Sequence, residues 1–514
     1  MVETELKILM DADQEARVRR HSGLARLRVG NRRNQSLVSV YYDTSDHALS
    51  AEGIALRLRK VGRSWVQTVK FGKGGGNGLF SRGEVEIPAP GGRLVLDGPD
   101  PEGMFAEIAR IVGGAALSPV FETRIRRITD HLKLADGSEV ELALDHGEVV
   151  AGEESRPIHE AEIELVSGEV TAVYDVAQML FEAGPVRFAP DSKAARGYRL
   201  ARGQSESGPA PRNAGTLDFD GSATVESVAR DVFRDCFAKI ATNMQVVAET
   251  DLVEGPHQLR VGLRRIRTAF SVFSEALGKD TFTALSDRAR DLGQVVGALR
   301  DIDVLIDELV ADRSEGLDEA ARSALVSALE TRRRMVRKEV RAALVTPESI
   351  AFLFDLGRLI EGRGWLVPSD YSQTARLAQP VSELAPKLLD KRYAKVMKKG
   401  RRIRKLEAEE LHELRKELKK LRYTADVLDS IYPGKKVKSY IKALKALQDQ
   451  FGSLNDAAMA EEYFTAPEAP GRKDAAAQRA VGWILGALHI QIGDDRPNLY
   501  DCWDSFAEEQ PFWS

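Results

Sequence analysis

The chain has 514 residues, is 43% hydrophobic and 30% charged, and carries a formal charge of −4. Such a length makes room for roughly two to four domains. The near-neutral balance excludes a dedicated, sequence-specific nucleic-acid binder while leaving local charge free to segregate. Cys236 and Cys502 give neither a disulfide framework nor a CxxC pair, so a reducing compartment is expected. The N-terminus lacks a basic segment followed by an apolar one, and no apolar run approaches the ~18–20 residues that span a bilayer. A cytoplasmic protein without membrane contact is expected.

In chain order, the first element alternates Glu3, Glu5 and Lys7 with Val2, Thr4 and Leu6. In a strand, residues two apart share a face, so two carboxylates and an ammonium point the same way. Further strands are expected at Leu37–Tyr42, Ala55–Lys60, Trp65–Lys70, Glu84–Ile87, Thr123–Thr129, Glu139–Leu144 and Glu160–Val166. Asp136-Gly137 marks a hairpin. Helical spacing interrupts the strands at Pro101–Ile111 and Val170–Phe181. The run Gly72–Gly78 lacks the GxxxxGK[ST] pattern and reads as a flexible hairpin rather than a phosphate loop. His47, His131, His146 and His159 show no metal-ligand spacing and read as surface or supporting residues.

The one-face sets are Glu3/Glu5/Lys7, Arg57/Arg59, Thr68/Lys70, Arg82/Glu84/Glu86, Arg124/Arg126, Glu141/Asp145 and Glu160/Glu162/Glu164. The opposite faces carry Leu56/Leu58, Leu142/Leu144 and Ala161/Ile163/Leu165. A solvated sheet with cross-strand ion pairs would explain any single strand, but not this many ionic faces in succession. Closing the sheet into a barrel with the charges inside, and covering the apolar exterior with the two helices, explains both faces. Clustered Lys and Arg suit an oligophosphate. Carboxylates beside phosphates require intervening divalent cations, and hard oxygen ligands suit Mg²⁺ or Mn²⁺. The expected chemistry is metal-assisted phosphoryl transfer to water.

The segment Gly203–Ser222 is rich in Gly, Ser, Pro and Asn and reads as a linker. Beyond it the periodicity is helical, punctuated by Pro347, Pro368, Pro433 and Pro467. This half carries an internal repeat. His257-x-x-Arg260-x-x-x-Arg264-Arg265-x-Arg267 matches His412-x-x-Arg415-x-x-x-Lys419-Lys420-x-Arg422 at an offset of 155 (412 − 257). Leu299-Arg300-Asp301 matches Leu454-Asn455-Asp456 at the same offset (456 − 301 = 155). A duplicated helical bundle related by a pseudo-two-fold is expected. On each helix a cationic stripe (His257, Arg260, Arg264 and Arg267; His412, Arg415, Lys419 and Arg422) lies opposite an apolar one. Together with the basic run Lys387–Lys405 they would form one surface suited to a linear polyanion.

These residues resemble known families. Glu3-x-Glu5-x-Lys7, Tyr42-Asp43-Thr44, Leu56-Arg57-Leu58-Arg59, Thr68-Val69-Lys70, Arg124 with Arg126, Glu162-Ile163-Glu164 and Ser192-Lys193-Ala194-Ala195-Arg196-Gly197-Tyr198 are similar to a CYTH domain. That domain belongs to the triphosphate tunnel metalloenzymes, eight-stranded antiparallel barrels. The resemblance implies a fold of α+β multidomain class, with the barrel at 1–202, a linker at 203–221 and an all-α domain at 222–512, its copies at about 225–370 and 380–512. It implies metals on Glu3, Glu5, Asp145, Glu162 and Glu164, with Glu160 sharing their parity and leaving the ligand pair open. It places the phosphate chain on Lys7, Arg57, Arg59, Lys70, Arg124, Arg126 and Lys193, and gives Glu5, Lys7, Arg57 and Arg59 the catalytic roles. The reaction implied is Mg²⁺- or Mn²⁺-dependent hydrolysis of inorganic triphosphate to diphosphate and phosphate. Thiamine or nucleoside triphosphates, ATP cyclisation, and a non-catalytic polyphosphate scaffold are the alternatives. The helical half resembles a CHAD domain, which implies polyphosphate binding by His257, Arg260, Arg264, Arg267, His412, Arg415, Lys419 and Arg422, and association with polyphosphate granules.

Overall fold

The computed structural model describes residues 2–72, 78–98, 100, 102–205, 208–278, 280–432 and 434–513, without the side chains of residues 494 and 495. Most of the glycine-run hairpin, the first residue of the expected Pro101–Ile111 helix, and Pro433 lie outside the described residues. The chain divides into two compact units. One comprises Met1–Ala210 with Val345–Arg363, and the other Pro211–Leu344 with Gly364–Ser514.

The first unit contains β1 (Val2–Leu9), α1 (Ala12–Arg20), α2 (Ser22–Leu27), β2 (Arg33–Asp43), α3 (Ala48–Ala51), β3 (Ala55–Val61), β4 (Ser64–Phe71), β5 (Leu79–Pro88), α4 (Met104–Val112), β6 (Ser118–Lys133), β7 (Glu139–Ala151), β8 (Glu154–Ser167), α5 (Thr171–Leu180), β9 (Arg187–Phe188) and α6 (Lys193–Ala201). The strands run antiparallel in the order β5-β4-β3-β2-β6-β7-β8-β1, and pairing of β5 with β1 closes the barrel. The two-residue β9 adds to β1 at Ile8 and Leu9. Asp136 turns the β6–β7 hairpin by accepting the Ser138 backbone N–H at 2.9 Å. Gly137 takes a φ of +91°, which a side chain would resist.

Alternation does what the sequence pattern requires. On β3, Ala55, Arg57 and Arg59 face the lumen, while Leu56 and Leu58 are buried against the exterior. Leu56, Val69 and Val85 pack beneath Met104, Phe105 and Ile108 of α4. Each such side chain contributes on the order of 1.5–3 kcal/mol. The Asp100 carboxylate holds α4 in place by accepting the Met104 and Phe105 amides at 2.6 and 2.7 Å. The second expected helix, α5, packs on the exterior of β8, β1 and β7.

Four short helices here fall outside the expected elements: α1, α2, α3 and α6. The last is decisive for the site. Ser192 caps it by accepting the Ala195 amide at 3.2 Å. Tyr198 and Leu200 then join Tyr41, Phe121, Ile125, Val149 and Ile158 in an apolar plug at one end of the lumen. Gly197 permits this approach, since a Cβ there would lie 2.1 Å from the Phe121 ring. A further helix, Pro347–Glu361, falls inside the span expected to be all helical domain but belongs to this unit: Gly357 abuts the Tyr174 ring of α5, and Phe354 meets Phe188 edge-on at 6.0 Å.

Among the described residues, the regular elements of the second unit are helices, with one isolated bridge between Thr224 and Pro380. The unit comprises α7 (Val225–Glu249), α8 (Glu254–Leu277), α9 (Thr283–Val304, continued by a π-helical turn at Leu305–Val310) and α10 (Glu319–Leu344). With Pro347–Glu361 counted as α11, it continues with α12 (Tyr371–Ala378), α13 (Val381–Gly400), α14 (Ala408–Leu428), α15 (Lys435–Thr465) and α16 (Ala475–Glu508). The repeat extends over four helices per copy. α7 and α13 begin 156 residues apart (381 − 225), as do α10 and α16 (475 − 319). Within each copy, sequential helices pack on one another, and α8 touches α14. The aromatic C-terminus packs into the second copy. The Trp503 ring fills the space that a side chain at Gly400 would need, and the Trp513 indole N–H donates to Asp390 at 2.7 Å.

Candidate functional site

The barrel encloses a cavity of about 220 Å³ lined from all eight barrel strands, β1 to β8. β1 supplies Glu3, Glu5 and Lys7; β3 Arg57 and Arg59; β4 Lys70; β5 Arg82, Glu84 and Glu86; β7 Glu141; β8 Glu162 and Glu164; and α6 Lys193. The sequence-derived pattern thus converges, with two departures.

Arg124 and Arg126 do not reach the lumen. Thr123, Ile125 and Arg127 face inward on β6, and the two arginines stand exposed outside, Arg124 paired with Glu122 and with Glu148 at 3.5 Å. The rule that the ionic face turns inward fails on this strand because Ile125 is needed for the plug, and the exterior here is open to water. Register reveals the true inward cation. Arg127 stands opposite Asp145 and donates to it from Nε and Nη2 at 2.7 and 2.6 Å. Asp145 itself lies behind the lining, fully buried.

Two electrostatic regions result. In the first, Lys193 contacts Asp145 Oδ2 and Glu162 Oε1 at 2.7 Å and also Glu160, while Glu162 takes Lys7 and Arg127 as well. Burial alone would raise Glu162 and Asp145. The surrounding cations outweigh it and hold Glu162 well below the usual carboxylate range and Asp145 below it. Oxygens of Asp145, Glu160 and Glu162 lie within 4.8 Å of one another, a spacing that could hold a metal, yet this trio already carries its counter-ions.

The second region is unbalanced. Glu5, Glu164 and Glu141 stand directly opposite one another across β1, β8 and β7. Like charges so placed repel. Burial first, then Glu3 and Glu5, push the Glu164 carboxyl up to about 7. Lys70 offsets the burial of Glu3 and keeps it low, whereas burial raises Glu84. Lys7, which is shared with Glu162, reaches Glu5 at 2.9 Å, and Arg33 reaches Glu141 at 3.6 Å, so the row is only partly compensated and Glu164 carries the excess. Hard oxygens of this kind are the donor set a divalent cation fits. On the other side, Arg59 has the opposite imbalance. Its Nε donates to the neutral Ser39 hydroxyl at 3.2 Å, and burial, Arg57 and Arg127 lower it to about 10. Arg57 donates to the Tyr41 hydroxyl at 3.5 Å and sits 3.7 Å from Glu84. The tunnel therefore holds a cation cluster needing anions beside a carboxylate row needing cations.

Asp43 of the Tyr42-Asp43-Thr44 motif serves structure. Its carboxylate accepts the amides of Thr44, Leu49 and Ser50 at 2.8, 2.9 and 2.9 Å, fixing α3.

In the helical unit, four of the eight expected cationic-stripe residues converge. Arg260, Arg264, Arg415 and Lys419 from α8 and α14 face one another closely enough that burial, then Arg264, Arg415 and Arg260, push the Lys419 ammonium down to about 6. Arg264 also donates to the Tyr423 hydroxyl at 3.0 Å, and Arg260 pairs with Asp301 at 2.8 Å. His257 and His412 flank this cluster, both lowered by burial and by neighbouring cations. Arg267 instead neighbours Arg290 and Asp287, and Arg422 is engaged by Gln448 and Asp426, so these two depart from the expected stripe. Lys398, Lys399, Arg401 and Arg402 are exposed on and just after α13. No described helix is long and apolar enough to cross a membrane.

A family model described as the CYTH domain matches residues 1–198, and one described as the CHAD domain matches 231–465. An inorganic triphosphatase of Haemophilus influenzae is 31% identical over 186 residues, 35% of this chain, and the match spans only half of that relative's length. An uncharacterized protein of Mycobacterium tuberculosis is 26% identical over 78% of this chain and 77% of its own. The crystal structure of the CHAD domain from the plant Ricinus communis is similar in fold, with a TM-score of 0.51 and 24% identity, covering 59% of this chain and 98% of that one.

Proposed function

The chain carries a CYTH domain followed by a CHAD domain, and from that premise we propose that its tunnel hydrolyses inorganic triphosphate to diphosphate and phosphate. The observation that carries this reading is the pairing of unbalanced charge in one lumen: Arg59 short of anions and the Glu5–Glu164–Glu141 row short of cations. A polyphosphate chain accompanied by divalent cations satisfies both at once.

Glu3, Glu5 and Glu164 would hold Mg²⁺ or Mn²⁺. Bound there, the ion would screen the phosphate charge and lower the pKa of an attacking water. Arg57, Arg59, Lys70, Arg82 and Lys7 would grip the phosphoryl oxygens, with the guanidinium forks matching their geometry. Lys193, Arg127 and the Asp145–Glu160–Glu162 trio form a connected set of charge-assisted bonds that also holds Lys7, so Asp145 and Glu162 are assigned a positioning role. Tyr41 is the aromatic residue among the described lining, and its ring is already stacked on Phe121 at 4.4 Å. With one face of that ring taken by Phe121 and no second aromatic side chain in the described lining to sandwich a base, an inorganic chain is favoured over a nucleotide or thiamine ester.

The Arg260–Arg264–Arg415–Lys419 cluster would bind polyphosphate, the class of ligand best able to supply the anionic charge that a lysine lowered to about 6 requires. A reducing cytoplasm fits the two unpaired cysteines, and polyphosphate granules fit the basic cluster.

The test is phosphate release from tripolyphosphate, thiamine triphosphate, ATP and long-chain polyphosphate, with Mg²⁺, with Mn²⁺ and with EDTA. Tripolyphosphate is expected to be turned over fastest and EDTA to stop turnover. Preferential ATP hydrolysis, or activity that survives chelation, overturns the reading.

A further inference from the structure

Behind the tunnel wall, the same two strands that present Asp145 and Glu160 inward present two histidines outward. His146 of β7 and His159 of β8 are register partners across the turn at Gly152, one position along from the Asp145–Glu160 pair. In sequence they are 13 apart (159 − 146), a spacing that looks uninformative until the hairpin is centred midway between them. The expectation that these histidines lack metal-ligand spacing is corrected by that fold-back. Their rings meet edge to face at 4.9 Å. Glu15 of α1 completes the group, with its Oε2 2.6 Å from His159 Nε2. Ligand atoms of all three lie within 4.8 Å of one another.

We propose that Glu15, His146 and His159 form a binding site for a zinc-class transition-metal ion on the outer face of the barrel, distinct from the oxygen-lined site inside. Two imidazoles and one carboxylate are the protein donors of an open zinc site, the remaining position belonging to water. Nitrogen donors also select for zinc, cobalt or nickel over the magnesium class that the tunnel carboxylates suit.

The scaffold holds the donors without relying on the metal. Asp11 and Gln14 form a capping box at the start of α1, the Gln14 side-chain amide donates to Pro185 O at 2.8 Å, and the Met10 amide donates to His159 O at 3.0 Å. These bonds fix the helix end against β8 and bring Glu15 over His159. The hydrogen bond between Glu15 and His159 occupies the position that a metal would take. His146 is exposed, so its ring has room to close the last ångström or so that bonds of about 2.0–2.1 Å demand. Two cations stand nearby. Arg19 reaches the other oxygen of Glu15 at 3.6 Å, and Arg126 is the register partner of His146, its Nε turned to Asn34 Oδ1 at 3.4 Å. Arg19 takes Glu15 Oε1 and leaves Oε2 facing His159, while Arg126 is engaged by Asn34.

The experiment titrates the untagged, full-length, chelator-stripped protein with Co²⁺, reading the visible ligand-field band, and then displaces it with Zn²⁺. The wild type and the tunnel variant Glu5→Gln/Glu164→Gln are expected to give the same nitrogen-ligated band. His146→Gln, at an exposed position that tolerates change, should weaken Zn²⁺ binding at least about tenfold, and His146→Gln/His159→Gln should abolish the band. A band unchanged in His146→Gln, a band lost in the tunnel variant, or the absence of any nitrogen-ligated band in the wild type overturns the proposal.

Discussion

Glu5 and Glu164 face each other directly across the β1–β8 ladder, and both point into the tunnel. Burial and the charges of Glu3 and Glu5 hold Glu164 near 7 against an ordinary value of 4.5. Between these two values the folded, metal-free protein keeps a proton that the unfolded chain has released. Its stability therefore falls as pH rises from about 4.5 to 7. Glu164→Gln removes this term, so the thermal midpoint of the wild type, measured relative to the variant without metal, should drop across that window. Mg²⁺ binding to the wild type at pH 6.5 should release a proton, read by calorimetry in buffers of different ionisation heat. A midpoint difference independent of pH would contradict the raised carboxyl.

Lys193 is the hub of the balanced region. Lys193→Met leaves Asp145, Glu160 and Glu162 short of a cation in a dry environment, and removing one partner of a buried ion pair costs roughly 3–5 kcal/mol. Urea unfolding of the full chain should show that loss in the barrel transition, and Glu160→Gln in the Lys193→Met background should recover part of it. No loss on Lys193→Met would mean that the ammonium is solvated rather than buried.

On β6 the outward and inward arginines make a paired test. Arg126→Gln should leave triphosphate turnover within about twofold of wild type, since surface changes of this kind are usually within ±0.5 kcal/mol. Arg127→Gln should lower it by at least tenfold through misplaced Glu162 and Arg59. Steady-state phosphate release on both variants checks this, and a reversed order would place the other face of β6 inside.

Much of this was legible before the structure, for a physical reason. A barrel with a polar lumen imposes period two on every strand, and eight strands repeat the signal, so Glu3, Glu5, Lys7, Arg57, Arg59, Lys70, Glu162 and Glu164 all converge where alternation puts them. The duplication likewise showed itself as an offset. What failed to show were features set by tertiary fit. β6 carries cations at both parities, Arg124 and Arg126 against Arg127, and only the apolar plug around Ile125 decides which face turns inward. Helix α6 spans only nine residues, too short for the apolar face of Tyr198 and Leu200 to stand out, and its packing relies on Gly197. The His146–His159 pair needed the hairpin register, which Gly152 at the turn could have supplied.

That glycine-dependent packing of α6 is itself testable. Gly197→Val would drive a branched side chain into the Phe121 ring, where even a Cβ would lie 2.1 Å away. Overpacking of this sort costs about 1–3 kcal/mol, and displacing α6 also shifts Lys193. Turnover should fall more than stability does, whereas Phe121→Leu in the same background should restore part of both. Phosphate release and thermal melts on the two variants decide the matter, and full activity in Gly197→Val would show that the plug is not tight.

In the helical unit, Lys419 titrates in the opposite sense to Glu164. Burial and three arginines hold it near 6, so at pH 7.5 it is largely neutral in the folded protein. A polyanion entering the Arg260–Arg264–Arg415 cluster supplies the missing negative charge and restores the ammonium, so binding should take up a proton. Tunnel Mg²⁺ binding should release one. Calorimetry of long-chain polyphosphate in two buffers, without divalent metal and with the Glu5→Gln variant to silence hydrolysis, reads this uptake. Affinity should fall steeply with salt, and Lys419→Met should flatten the buffer dependence while leaving most of the salt slope to the arginines. Proton release on binding, or a salt slope near zero, would remove the cluster from the binding surface.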